Sequence, residues 1–413
     1  MRHGRVSLLQ QRIGPPGVRA FAFISAFDAV VRGTMLSVYP LLMYRAWGDA
    51  AVVSLWYFGI GLASLLTALS IPWLVRKVPR RRVYAMGVGF YLLAAVFGVA
   101  GGRATTLALL CHAVAAAHIF VCFNAYVLDS IPKTDFGRLE SLRLLYGGIG
   151  WTVGPVLGVW LLRLWHGAPF VLVALAALTM LAAFWWTGVS GNRVSAAGLQ
   201  QSPHPLAYLG RFLSQRRLVA GWLFALLRSC GWWVFVVYVG IYAVQKGLGD
   251  QVGGTVTSLV SVGAFFAPLM LRWMQRHSVR HAVRTGFRMS GLLFLAAALA
   301  SPWPWLAVAL MLLGACYLVL LDICGGLPFM MSVKPSQRTE MSAVYSTFRD
   351  VSGILGPAVA WVVLQFAPVA GVFAAAGVAL LGAWLMAGQL HPQLGLPGAQ
   401  RARLRRAGRA GPA

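Results

Sequence analysis

Apolar runs of about 20 residues, the length that crosses a hydrocarbon core roughly 30 Å thick, recur along the whole chain with only short polar breaks. The first runs from Phe21 to Met43 and the last ends near Leu390. Such a pattern cannot close around one water-surrounded core, so the bilayer is the solvent for most of the chain. Backbone N–H and C=O groups have no water partner in hydrocarbon, so each run must satisfy its own groups as a helix. Strands of a membrane barrel would instead read as alternating segments of about ten residues. Twelve spans are predicted, over 20–43, 51–75, 83–101, 105–130, 143–164, 169–189, 218–244, 252–271, 284–300, 304–331, 342–366 and 369–390. The expected fold class is an all-α membrane protein.

A net charge of +26 would suggest nucleic acid in a soluble protein, so its placement matters. Arg2, Arg5, Arg12 and Arg19, the RKVPRRR and HSVRHAVR connections, the central stretch and the RARLRRAGR tail all fall on one side of the predicted spans. The other side holds only scattered cations such as Arg45, Arg103, Arg163 and Lys246. By the positive-inside rule both termini and the central loop are cytoplasmic, and topology accounts for the charge without a nucleic-acid partner. The lipid bilayer is the expected surrounding partner. The five cysteines lie within spans and form no CxxC pair, so reduced core residues are expected rather than a disulfide framework. No A-x-A-like cleavage site follows the first run, which is expected to be retained as a helix. The absence of an N-x-S/T acceptor and the excess of arginine over lysine point to a bacterial inner (cytoplasmic) membrane.

The polar stretch NRVSAAGLQQSPHPLAYLGRFLSQRR separates six spans from six. The expected division is a basic N-terminus (1–19), a six-helix bundle (20–190), a central loop (191–217), a second bundle (218–390) and a basic tail (391–413). Landmarks recur between the halves: Pro72 with Arg76 and Arg80 against Pro268 with Arg272 and Arg276, Arg138 and Glu140 against Arg338 and Glu340, and Gly154-Pro155 against Gly356-Pro357. Their offset stays close to 200, as a parallel duplication requires.

Twelve helices in two parallel repeats, with a basic second-to-third connection, resemble the major facilitator superfamily of secondary transporters over residues 18–390. The family's loop motif carries an aspartate and glycines; here Arg76 takes the aspartate position and prolines replace the glycines, so its acidic gating contact does not carry over. Gly150-x3-Gly154-Pro155-x2-Gly158 resembles the fifth-helix pattern of proton-coupled exporters and is expected to pack closely against another helix, as are Gly356 and Pro357. The resemblance also implies that helices one, four, seven and ten line a cavity, and that the protein works as a monomer without a cofactor.

Only nine acidic residues exist, and Asp28, Asp129, Asp322 and Asp350 fall within spans or at their edges, where a charge costs about 2.5–3.5 kcal/mol to insert. Asp28 and Arg32 are four apart on helix one, so they share a face. Asp28 and Asp322 are the candidate proton carriers. Arg32, Arg228, Trp56, Tyr57, Trp232 and Trp233 are the candidate substrate contacts, guanidinium for anionic groups and aromatic faces for flat or cationic ones. Arg76, Arg80, Asp129, Arg138, Glu140, Arg143, Arg272, Arg338 and Glu340 are assigned to a cytoplasmic gate. Arg349 and Asp350 are adjacent, cannot face each other on a helix and are expected to have separate, structural partners.

The reading is a small-molecule antiporter coupled to protons, exporting an amphiphilic compound by alternating access. The alternative is uptake or exchange of an organic anion clamped by Arg32 and Arg228. Cys111, His118 and Cys122 share a face of helix four and keep a metal exporter open, and a non-transporting scaffold is the remaining reading. No phosphate loop, GxSxG elbow or HExxH helix gives an enzyme a place for its chemistry.

Overall fold

The computed structural model describes residues 17–131, 135–187, 208–333 and 337–391, and every regular element among them is helical. Six long helices come first: α1 (Val18–Trp47), α2 (Ala50–Lys77), α3 (Arg80–Ala100), α4 (Ala104–Ser130), α5 (Phe136–Leu164) and α6 (Ala168–Trp186). A short α7 (Leu209–Leu213) precedes α8 (Arg216–Gln245), α9 (Gln251–Val262), α10 (Ala267–His277), α11 (Val279–Leu299), α12 (Pro304–Cys324), α13 (Leu327–Ser332), α14 (Arg338–Ser346), α15 (Phe348–Leu364) and α16 (Val369–Ala387). Among the described residues, eleven helical segments are long and apolar enough to cross a membrane, or twelve if the bent pair α9–α10 counts as one span. Local signals set the ends: Gly48 leaves α1 with φ 69°, a left-handed conformation that glycine adopts freely, and the Asp49 side chain accepts from Ala51 N–H to start α2.

The second repeat departs from the straight spans that the sequence predicts. Helix eight bends by 54° between α9 and α10, where Pro268 in the first turn of α10 lacks a donor for the preceding turn. Gly325–Gly326 separate α12 from α13 and Thr347 separates α14 from α15, but all three keep right-handed helical backbone and Pro304–Ser332 and Val344–Leu364 each remain one span. Their counterparts α2, α4 and α5 run without interruption.

The described chain forms two compact units. The first comprises α1–α6 together with Asp250–Ser258; the second comprises α7, α8 and the chain from Leu259 onward. In the first, α1 packs on α5 and α6, and α3 on α4 and α6. In the second, α8 packs on α15 and α16, and α11 on α12 and α16, so the same order of packing recurs after the duplication. Asp250–Ser258 adheres to the first unit: Asp250 pairs with Arg45, Gln251 donates to Val159 O at 2.9 Å, and Ser258 Oγ accepts from Val156 N–H at 3.0 Å.

The α1–α5 contact is backbone against backbone. A Cβ placed on Gly150 would lie 2.7 Å from Ala29 C, one on Gly154 2.6 Å from Gly33 C, and one on Gly158 2.3 Å from Thr34 O. Only glycine permits that approach, which explains why the small residues recur at four-residue intervals.

Candidate functional site

Each unit holds an arginine–aspartate pair within its spans, and the two are built differently. In the first unit both partners come from α1. Asp28 Oδ2 lies 3.5 Å from Arg32 Nη1, a long contact dictated by the one-turn spacing. Tyr91 of α3 donates its hydroxyl to Asp28 Oδ1 at 3.2 Å. The Arg32 guanidinium stands 5.3 Å from the Trp151 ring centroid of α5, and its side chain is 38% exposed against 22% for Asp28. His112 of α4 packs edge-on to Tyr39 at 5.2 Å and lies 5.0 Å from the Tyr91 ring, with its buried Nδ1 unpartnered.

In the second unit the partners come from different helices. Arg228 Nε of α8 lies 3.1 Å from Asp322 Oδ1 of α12. Trp232, one turn further along α8, donates Nε1–H to Asp322 Oδ2 at 3.0 Å, so α8 grips both carboxylate oxygens. Arg228 Nη1 also donates to Leu321 O at 3.4 Å, and its guanidinium lies 5.4 Å from the Phe348 ring centroid. The arginine is 12% exposed and the carboxylate 44%, so the cation is enclosed and the anion faces open space. Two residues beyond Asp322, α12 ends at Cys324, followed by Gly325–Gly326.

The other expected site residues fall outside these two centres. Trp56 packs on Trp47 at 5.5 Å, Tyr57 is buried, and Trp233 covers the Gly353 and Gly356 face of α15. Among the gate residues, Arg80 is buried and pairs with Asp129 at 2.7 Å while lying 5.2 Å from the Tyr126 ring. Glu140 pairs with Arg143 at 2.8 Å, one turn along α5. Arg76, Arg138 and Arg272 are exposed, and the side chains of Arg338 and Glu340 lie outside the described residues. Pro155 is buried within α5 and Pro357 within α15. No three His, Cys, Asp or Glu side chains converge on a possible metal site among the described residues.

Sequence reasoning missed Tyr91, His112, Trp151 and the Leu321 carbonyl, which belong to the centres through tertiary contact alone. Asp322 has no sequence-local cation, and the sequence leaves Arg228 and Arg349 both open as its partner; the fold brings Arg228 to it across 93 intervening residues.

Among the described residues, two similarly packed helical units, each keeping an arginine–aspartate pair within its spans, match the architecture of secondary transporters built from two parallel repeats. A family model for the Major Facilitator Superfamily matches residues 21–267, more than half the chain, and the protein belongs to that family. Its fold is shared with the nucleoside transporter NupG (15% identity, TM-score 0.67, covering 91% of this chain and 99% of that one). It is shared also with a POT family transporter in complex with 5-aminolevulinic acid (11% identity, TM-score 0.71, covering 93% and 99%). A bacterial homologue of the iron transporter ferroportin in an inward-facing state is similar too (12% identity, TM-score 0.66, covering 94% and 99%). No curated protein matches the chain in sequence.

Proposed function

We propose that the protein is a monomeric, proton-coupled exporter of an amphiphilic small molecule, in a bacterial inner membrane with both termini cytoplasmic, and that Asp322 carries the coupling proton. One observation supports this reading above others: the Arg228–Asp322 pair joins two helices close to the Gly325–Gly326 pair, with the carboxylate open and the cation enclosed. A small movement of α12 relative to α8 separates the charges, and an aspartate parted from its cation in a low-dielectric site takes up a proton. Asp28 cannot be parted from Arg32 in this way, because both ride on one helix and a third group, Tyr91, holds the carboxylate. The Asp28–Arg32 pair is therefore assigned to positioning. The close α1–α5 glycine contact supports export, through the pattern it shares with proton-coupled exporters.

A second reading rests on Arg32. Its single long contact to Asp28 leaves guanidinium donors free beside the Trp151 ring, a combination suited to a flat organic anion. Proteoliposomes separate the two. Asp322→Asn is expected to abolish accumulation driven by a proton gradient while sparing exchange of substrate down its own gradient; full gradient-driven flux in that variant refutes the assignment. Arg32→Gln is expected to leave flux of lipophilic cations intact, and a selective loss of organic-anion flux would favour the second reading.

A further inference from the structure

The corner between α10 and α11 carries charge that no acidic side chain among the described residues pairs with. Arg272, Arg276, Arg280, Arg284 and Arg288 follow one another every fourth residue, and no Asp or Glu occurs between Asp250 and Asp322. The ion pairs of the described residues engage none of the five. On α11 the last three stack along one flank, an arrangement of like charges that is unfavourable in isolation. The first turn of α11 adds to the conflict, since Arg280 and His281 sit at the positive end of the helix dipole.

The corner is nonetheless a built one. Ser278 turns the chain at φ 127° and its hydroxyl accepts from His281 N–H at 3.2 Å, while His277 stacks on His281 and Trp273 packs tilted against both across the turn. Arg280 donates to Gly388 O at the end of α16, and the Arg284 guanidinium lies 5.6 Å from the Trp384 ring centroid of the same helix. The inner edges of both guanidinium groups, at Nε, are enclosed without an acceptor. Arg276 and Arg288 are exposed on the outer side.

Apolar surface continues from this charge. Leu292, 44% exposed, and Leu299, 80% exposed, prolong the Arg288 face along α11, and Leu269 and Leu271 are exposed on α10. A ligand that fits must carry an anionic head and an apolar tail. We propose that the α10–α11 corner binds the phosphate headgroup of an anionic phospholipid whose acyl chains run along the exposed face of α11. The phosphate neutralises the arginine ladder and meets the positive helix end, and basic recesses beside spanning helices suit such headgroups. This site is independent of the transport reading.

The test uses the full-length chain in neutral detergent, titrated with phosphatidylglycerol or with phosphatidylcholine of the same acyl chains. Bound lipid is counted by native mass spectrometry, and thermal unfolding is followed in parallel. Phosphatidylglycerol is expected to bind and raise the unfolding temperature where phosphatidylcholine does neither. Each arginine removed is expected to weaken binding about fivefold, so Arg276→Gln with Arg288→Gln, both at exposed positions, should weaken it about twenty-five-fold. The paired lysine variants should retain most of the affinity, and Arg163→Gln on α5 should change nothing. Equal binding of the two lipids, or unchanged affinity in the glutamine pair, overturns the proposal. So does full competition by inorganic phosphate at the same concentration, which would mark a site for the free anion.

Discussion

Gly154→Ala tests the α1–α5 contact most directly, because one methyl group is added against atoms that cannot rotate away. The new Cβ would lie 2.6 Å from Gly33 C and 2.7 Å from Thr34 N, where ordinary contact begins at 3.4 Å, so the helices must part by about 0.8 Å. Overpacking of this kind costs about 1–3 kcal/mol, and the rigidity of two backbones puts this site at the upper end. Replacing glycine by alanine within a helix returns about 1 kcal/mol of conformational entropy, so the net loss is about 2 kcal/mol. Gly59 on α2 provides the control, since its Cβ would meet nothing within 4 Å and Gly59→Ala keeps only the favourable part. The two variants should differ by about 3 kcal/mol, or roughly 6–12 °C in unfolding temperature for a cooperative unit of about 200 residues. Thermal unfolding of the purified protein in one detergent measures that difference. A Gly154→Ala protein as stable as Gly59→Ala would refute the backbone-contact argument, whatever its transport rate.

The partner landmark should behave differently. Gly356→Ala meets only the Trp233 side chain, at 3.2 Å, so a loss below about 1 kcal/mol is expected in the same assay. Asp129→Asn leaves Arg80, whose side chain is 4% exposed, without its counter-charge and should cost about 3 kcal/mol, whereas Arg80→Met with Asp129→Leu should come within about 1 kcal/mol of the parent by chemical denaturation. A double variant as damaged as the single one would show that the pair acts through more than charge. Thiol reagents should modify Cys111, Cys230 and Cys316 before the buried Cys122 and Cys324, a sequence that peptide mass spectrometry reads directly.

The site was half legible in the residues. Asp28 and Arg32 could be paired because a helix puts residues four apart on one face, and the structure places them 3.5 Å apart. Asp322 could be recognised as anomalous, since an acid in an apolar run is costly, but its grip by Arg228 and Trp232 depends on how α8 and α12 pack. The gate residues show the same limit: Glu140 pairs with Arg143 one turn away, while Arg80 reaches Asp129 across 49 positions. Tyr91, His112 and Trp151 are ordinary span residues in the sequence and gain their place only from neighbours on other helices.

What the sequence determined by itself is the membrane-spanning helical class, the duplication and the rarity of acids, because the length of an apolar run and the cost of burying a charge are local physics. Tertiary structure alone decided which charges meet, where the eighth span bends, and that Gly154 touches backbone where Gly356 touches a tryptophan. Those outcomes depend on contacts between segments far apart in the chain, and equivalent positions in two repeats diverge once their neighbours do. Pro72 leaves α2 continuous while its counterpart Pro268 opens α10 after a bend, since only the surrounding helices fix whether a weakened turn holds.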